Sequence, residues 1–285
     1  MMRYALEDLK RPRQNWLHAA VLALLAMAAA MNGQPVRADE IKIGGTGSAL
    51  GTMQLLADAF HKAQGDTRVV VVPNLGSSGG IKAAISGAIQ LGLSSRPLRE
   101  SELGQGAKAA EYSRTPFVFV TSSKTRGVAA VTSQQLVDIY SGRMERWPDG
   151  TRIRIVLRPE SDSDTDLVRG ISPAVKEAEM AAQRRPGILV GATDHDSAGL
   201  AAKLAGSLGV SSLSFILTER PPLTVLNFNG VEPSVRALAN GSYPLIKTML
   251  FVTGPNAPPS AYKFMEFVRS PAGREILVRT GHLVN

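Results

Sequence analysis

Short runs of β-branched and aliphatic residues alternate along this chain with Ala-rich, amphipathic ones. Residues 41–43, 69–72 and 91–93 are brief apolar runs of the kind that form buried strands, and 53–61 and 81–89 carry helical spacing between them. The β-α-β-α-β rhythm predicts a mostly parallel sheet with flanking helices, a class that binds ligands at the carboxyl ends of its strands. The alternation continues with strands at 117–121 and 153–157 and a helix at 134–140. A helical stretch at 164–184 is broken at Gly170 and Pro173, and a further helix covers 198–205. Strands are predicted at 213–217, 223–226 and 246–253, and helices at 261–269 and 273–280, separated by Ser270-Pro271.

No internal repeat or low-complexity linker interrupts this pattern. Two domains joined by crossing strands, near 113–117 and 242–246, are therefore expected: residues 39–116 plus 246–285 as lobe 1, and 117–245 as lobe 2. Residues 1–38 stand apart. Lys10, Arg11 and Arg13 precede an apolar run at 17–30, and Val36-Arg37-Ala38 offers a small-x-small cleavage site, so a removable secretory signal is expected, with an N-terminal anchor as the alternative. The chain has no cysteine, which excludes disulfides, thiolate metal sites, a cysteine nucleophile and a lipid-bearing Cys. A soluble periplasmic protein is the expectation. The net charge is +8, and removal of residues 1–38 (five Lys/Arg, two Asp/Glu) leaves +5. That balance suits anions. Scattered basic residues and few aromatics argue against nucleic acid.

Four segments share one design, a strand end followed by small hydroxyl residues or Arg: Gly44-Gly45-Thr46-Gly47-Ser48, Gly76-Ser77-Ser78-Gly79-Gly80, Leu93-Ser94-Ser95-Arg96-Pro97, and the run from Arg158 to Thr165. Ser and Gly before a helix are ordinary caps. Four such turns at strand ends point to one pocket, in which helix-start N–H groups, hydroxyls and arginines would meet an anion.

These segments resemble the periplasmic phosphate-binding proteins of phosphate ABC importers, a family of type II periplasmic binding proteins. Gly76-Ser77-Ser78-Gly79-Gly80-Ile81-Lys82 looks like its G-S-S-G-G-[IV]-K. Ser94-Ser95-Arg96 is similar to a G-x-S-S-R-x-L variant. Ile139-Tyr140-Ser141-Gly142-Arg143 with Trp147 and Arg158 resembles another block, as do Asn229-Gly230-Val231-Glu232-Pro233 and Gly241-Ser242-Tyr243-Pro244-Leu245. The resemblance implies two α/β lobes that close on a tetrahedral oxyanion, no catalysis and no cofactor, and an inner-membrane ABC permease as partner, with a monomer as the default. It implies Thr46, Ser48, Ser77, Arg158, Ser163 and Thr165 as ligand residues, with Ser95 and Arg96 from the third turn. Two departures bear on selectivity. Ser95 stands where many members have Asp, and Asp162 and Asp164 replace the glycines of G-S-G-T. Either those carboxylates face away and cap the helix, which is the favoured reading, or the ligand is not phosphate, or the chain has lost affinity and serves as a sensory or structural relative.

Two rival readings remain. Ser78 sits in a G-x-S-x-G turn, the nucleophile elbow of serine hydrolases, with His195 or His282 as candidate base. Asp194-His195-Asp196 could ligate a metal, although its place before a helix favours a cap. Trp147 reads as a packing anchor, and no P-loop is present.

Overall fold

The computed structural model describes residues 39–65 and 67–284; the expected signal lies outside them. In chain order the elements are β1 (Asp39–Gly45), α1 (Gly47–Gln64), β2 (Thr67–Val71), α2 (Gly76–Ile85), β3 (Leu91–Ser94), α3 (Glu100–Leu103), β4 (Lys108–Ser122) and β5 (Ala130–Val131). There follow α4 (Ser133–Ser141), β6 (Arg154–Leu157), α5 (Ser163–Arg169), α6 (Pro173–Gln183), β7 (Leu189–Val190), α7 (Asp194–Lys203), β8 (Ser207–Ser212) and α8 (Leu213–Glu219). The chain ends with β9 (Leu223–Val225), β10 (Asn227–Phe228), α9 (Val235–Ala239), β11 (Ile246–Thr253), α10 (Pro259–Arg269) and α11 (Pro271–Arg279). Among the described residues no helix is long and apolar enough to cross a membrane.

One sheet runs β2-β1-β3-β11-β4-β8-β6-β7, with β9 also on β4. Its two ends are parallel, β1 with β2 and β3, and β6 with β7 and β8. Between them β4 and β11 pair antiparallel over 108–116 and 246–253, and β4 runs on to pair with β8 from Phe117. One strand thus belongs to both ends of the sheet.

The core divides at the same place. One cluster gathers Ile41, Ile43, Met53, Phe60, Leu91, Phe251 and Phe264, where Phe60 meets Phe264 and Phe267 edge-on. The other large one gathers Phe117, Phe119, Leu136, Trp147, Leu157, Val175 and Tyr243, and a small third holds Ile81, Ala84, Ile89, Ala107 and Val252. Trp147 is buried, and its indole N–H donates to the Gly206 carbonyl at 3.0 Å, so it is the packing anchor expected.

Two expectations need correction. Residues 213–217 form helix α8, not a strand. The Ser212 hydroxyl accepts from the Phe215 N–H at 3.2 Å and starts the helix, and the strand is the Ser-rich 207–212 before it. A short apolar run has no period that separates the two states. Strand β4 also begins nine residues before Phe117, through a polar stretch that pairing with β11 holds extended.

His282 ties the C-terminal segment to this frame. It is fully buried, with one ring nitrogen 3.1 Å from Thr52 Oγ1 and the other 2.9 Å from Ser113 Oγ. Burial pushes its pKa down from 6.5 to about 3. A depressed folded-state value stabilises the protein fully above pH 6.5, and that contribution is lost as pH falls toward 3. Thermal unfolding should show stability falling with acid across this window by up to roughly 1.4 kcal/mol per pH unit from this one group. His282→Gln should flatten that slope.

Candidate functional site

The four turns converge where the two clusters meet. Helix α1 starts at the carboxyl end of β1, and Gly45 there has φ 154°, with the Leu93 backbone where a side chain would be. Helix α2 starts just after β2, and Gly80 in its first turns lies directly on Gly44 and Gly45, where a Cβ would come within 2.6 Å of the Gly45 Cα. The small residues bring the starts of both helices onto the end of β3. Ser77 Oγ accepts from the Ser95 N–H at 3.0 Å and lies 3.1 Å from Ser95 Oγ. The Ser95 hydroxyl also reaches Thr46 Oγ1 at 3.4 Å and Ser163 Oγ, at the start of α5, at 2.9 Å. Thr46, Ser77 and Ser95 come from one side of the sheet and Ser163 from the other, so a chain of hydroxyls spans the junction.

Beside it lies a buried ionic cluster. Arg158, at the end of β6, is bonded to Asp162 at 2.9 Å, with Asp194 at 3.7 Å and Asp164 at 3.9 Å. Its guanidinium also donates to the Gly191 carbonyl. Lys247, on β11, is 1 % exposed. Its ammonium lies 2.5 Å from Asp164, 2.7 Å from Ser48 Oγ and 3.6 Å from Asp194. The Asp194 carboxylate accepts from Ser48 Oγ at 2.7 Å and from the Gly47 N–H at 3.0 Å.

Charge and burial compete here. Burial alone would discharge Arg158 and Lys247. For Arg158 the carboxylates of Asp194, Asp164 and Asp162 outweigh it, for Lys247 those of Asp164 and Asp194, and both pKa values are raised. Burial also opposes the charge on Asp194, but Lys247, Arg158 and the Ser48 hydroxyl bring its pKa down to about 2. Asp164 is pushed up, by burial and by its neighbours Asp194 and Asp162, against the pull of Lys247.

Of the residues the sequence proposed, Thr46, Ser48, Ser77, Ser95, Arg158 and Ser163 meet in this network. Thr165 is buried beside it, but its hydroxyl is committed to the Pro159 carbonyl at 2.8 Å. Arg96 points elsewhere. Its guanidinium is forked onto both Glu102 oxygens, at 2.7 and 2.9 Å, and bonded to Ser78 Oγ. Hydrogen bonding from Arg96 holds Glu102 down at about 2.

The favoured view of the two Asp replacements holds for one of them. Asp162 caps α5 by accepting from the Asp164 N–H at 2.9 Å. Asp164 does not cap; its buried carboxylate is paired with Lys247, with Arg158 farther off at 3.9 Å. Asp194 is not the cap of its own helix either. In the Asp194-His195-Asp196 run the capping part is played by Asp196, which accepts from the Thr193 N–H at 3.1 Å in a box with the N-cap Thr193, and the Asp194 carboxylate crosses to α1. Among the described residues no group of His, Asp and Glu is disposed to hold a metal. Lys247 was missed. Its signal is the alternation along β11, in which Lys247, Met249 and Phe251 share the buried face.

A profile of the PBP superfamily domain matches residues 30–272. The "Phosphate-binding protein PstS" of Borreliella burgdorferi is 23% identical over 253 residues, 85% of this chain and 89% of that one. Its namesake from Bacillus subtilis is 24% identical over 248 residues, 84% and 78%. Among solved structures, a Clostridium perfringens chain described as a phosphate ABC transporter substrate-binding protein with bound phosphate superposes with a TM-score of 0.74, at 23% identity, covering 87% of this chain and all of the other. That likeness establishes a two-lobed α/β binding-protein fold.

Lys247→Met would leave the carboxylates of Asp164 and Asp194 buried without their nearest cation. Chemical denaturation should show a loss of about 3–5 kcal/mol.

Proposed function

Since the chain belongs to the PBP superfamily, we propose that it is a periplasmic solute-binding protein that captures a small oxyanion, phosphate first, for an ABC importer. The observation that carries this reading is the row of hydroxyls from Ser77 through Ser95 to Ser163, bridging the two core clusters beside Arg158 and Lys247. Hydroxyls rotate, so donors that now serve one another can each turn to an anion oxygen. The Gly47 N–H at the start of α1, now donating to Asp194, and the two buried cations supply the rest of a dehydrated anion site.

In this reading residues 39–116 with 246–285 form one lobe and 117–245 the other. The lobes hinge where β4 and β11 run between them. Thr46, Ser48, Ser77, Ser95, Arg158 and Ser163 contact the ligand, Thr165 shapes the loop of Arg158, and Arg96 braces the third turn through Glu102. The relatives named above are described as phosphate-binding, and the secretory pattern at residues 1–38 fits delivery to the periplasm, where the closed form of a monomer would meet its permease.

Binding without chemistry is favoured by the surroundings of Ser78. Its hydroxyl accepts from the Arg96 guanidinium at 3.0 Å, while His282 is engaged by Thr52 and Ser113, and His195 faces Glu219 at 3.8 Å. A non-transporting relative is the second reading, and the two carboxylates inside the cleft, Asp164 and Asp194, are what favour it.

Calorimetric titration with phosphate, sulfate and molybdate separates these. Micromolar phosphate binding is expected, weakened by roughly tenfold or more in Ser77→Ala and further in Arg158→Ala, since hydrogen bonds to a charged group are the stronger kind. No heat with any of the three anions would reject the transport reading. Turnover of a chromogenic ester lost in Ser78→Ala would replace it with hydrolysis.

A further inference from the structure

We propose that Asp194 is a resident anion: its carboxylate occupies the anion position at the start of α1 and holds the two core halves together, so that an incoming oxyanion must displace it. The proposal rests on the oxyanion-binding reading above and adds a residue that tunes it.

The partners of Asp194 are those an oxyanion would seek. One oxygen accepts from the Ser48 hydroxyl at 2.7 Å, and the other from the Gly47 backbone N–H at 3.0 Å, at the positive end of an 18-residue helix. Lys247 and Arg158 flank them at 3.6 and 3.7 Å. The place is built to admit the carboxylate. A Cβ at Gly47 would sit 2.7 Å from its oxygen and 2.8 Å from the Asp194 Cβ, so only glycine leaves the carboxylate room against the helix.

The contact also adds to a junction between the halves at which α1 already packs on α8 and the Ser48 carbonyl accepts from the Ser214 hydroxyl at 3.1 Å. Gly47 and Ser48 open α1, whose Met53, Leu56 and Phe60 belong to one cluster. Asp194 opens α7, which packs on β6 and β8 of the other half. The two residues are 147 positions apart. A tie of this kind between halves, made by a group that competes with the ligand, has two consequences. The cleft is held closed by the chain itself. The apparent affinity is also divided by the fraction of molecules in which Asp194 has let go.

The absence of cysteine makes the test direct. Cysteines placed at exposed Ala63 and Glu232, one in each half, carry a donor and an acceptor dye for distance measurement in the full mature chain. Without added anion, the parent should show a short inter-dye distance, and Asp194→Ala a longer one; Asp194→Asn keeps the size of the side chain should the alanine variant fold poorly. Inorganic phosphate, titrated calorimetrically, should bind either variant about tenfold more tightly than the parent, as expected if a tenth of the parent molecules are competent. A purely structural role for Asp194 would leave affinity equal or weaker. The proposal is overturned if the variants keep the parent distance, or if phosphate binds them no more tightly than a parent that does bind it. If phosphate binds neither parent nor variant, the phosphate reading fails, and the distance measurement alone decides the tie.

Discussion

The buried ammonium of Lys247 holds the junction together. It lies on β11, beside the strand β4 that the two halves share, and reaches Asp164 and Asp194 from one of them and Ser48 from the other. An ion in such a place is tolerated only when its desolvation is offset by close opposite charge and by hydrogen bonds that satisfy its protons. Those partners sit on α5, α7 and α1, so the positions of three helix starts are fixed relative to β11 by one side chain. Arg158 repeats the pattern, with Asp162 as its closest carboxylate and the Gly191 carbonyl as a further acceptor.

This explains why the cleft tolerates carboxylates in a site suited to anions. Asp162, Asp164 and Asp194 face Arg158 and Lys247, three formal negative charges against two positive. The excess is eased by donors to the carboxylates, the Ser48 hydroxyl and Gly47 N–H to Asp194 and the Asp164 N–H to Asp162. An anion entering this network changes the pairing of every member, so affinity is set by the whole cluster and not by Arg158 alone.

Much of this was legible in the sequence, and for physical reasons. Gly and Ser between an apolar run and a helical one mark a strand-to-helix turn, and the four turns that carry Thr46, Ser77, Ser95 and Ser163 were picked out in that way, while the residues themselves came from the family resemblance. The same reasoning failed where a side chain serves an element other than its own. Arg96 looked free to bind an anion, but Glu102, six residues on, claims its guanidinium. The run Asp194-His195-Asp196 looked like a cap, and Asp196 does cap α7 with Thr193, but that leaves the Asp194 carboxylate to cross to α1. Lys247 sits in an apolar strand with nothing nearby in sequence to pair with; its partners are 199, 83 and 53 positions away at Ser48, Asp164 and Asp194. Local pattern finds turns, and only tertiary proximity finds counterions. The misread at 213–217 has a different cause, since so short an apolar run carries no period that separates strand from helix.

The placement of β11 between β3 and β4 also sets the order in which the protein can be completed. Both neighbours are made long before it, and their facing edges have no partner in the sheet until residues 246–253 arrive. Bare strand edges are templates for unwanted pairing between chains. A nascent molecule therefore carries a gap in the middle of its sheet for most of its synthesis, and the last strand both closes the gap and delivers the lysine that neutralises the cleft. Truncation anywhere before residue 246 leaves a sticky, uncompensated fragment, not a smaller working protein.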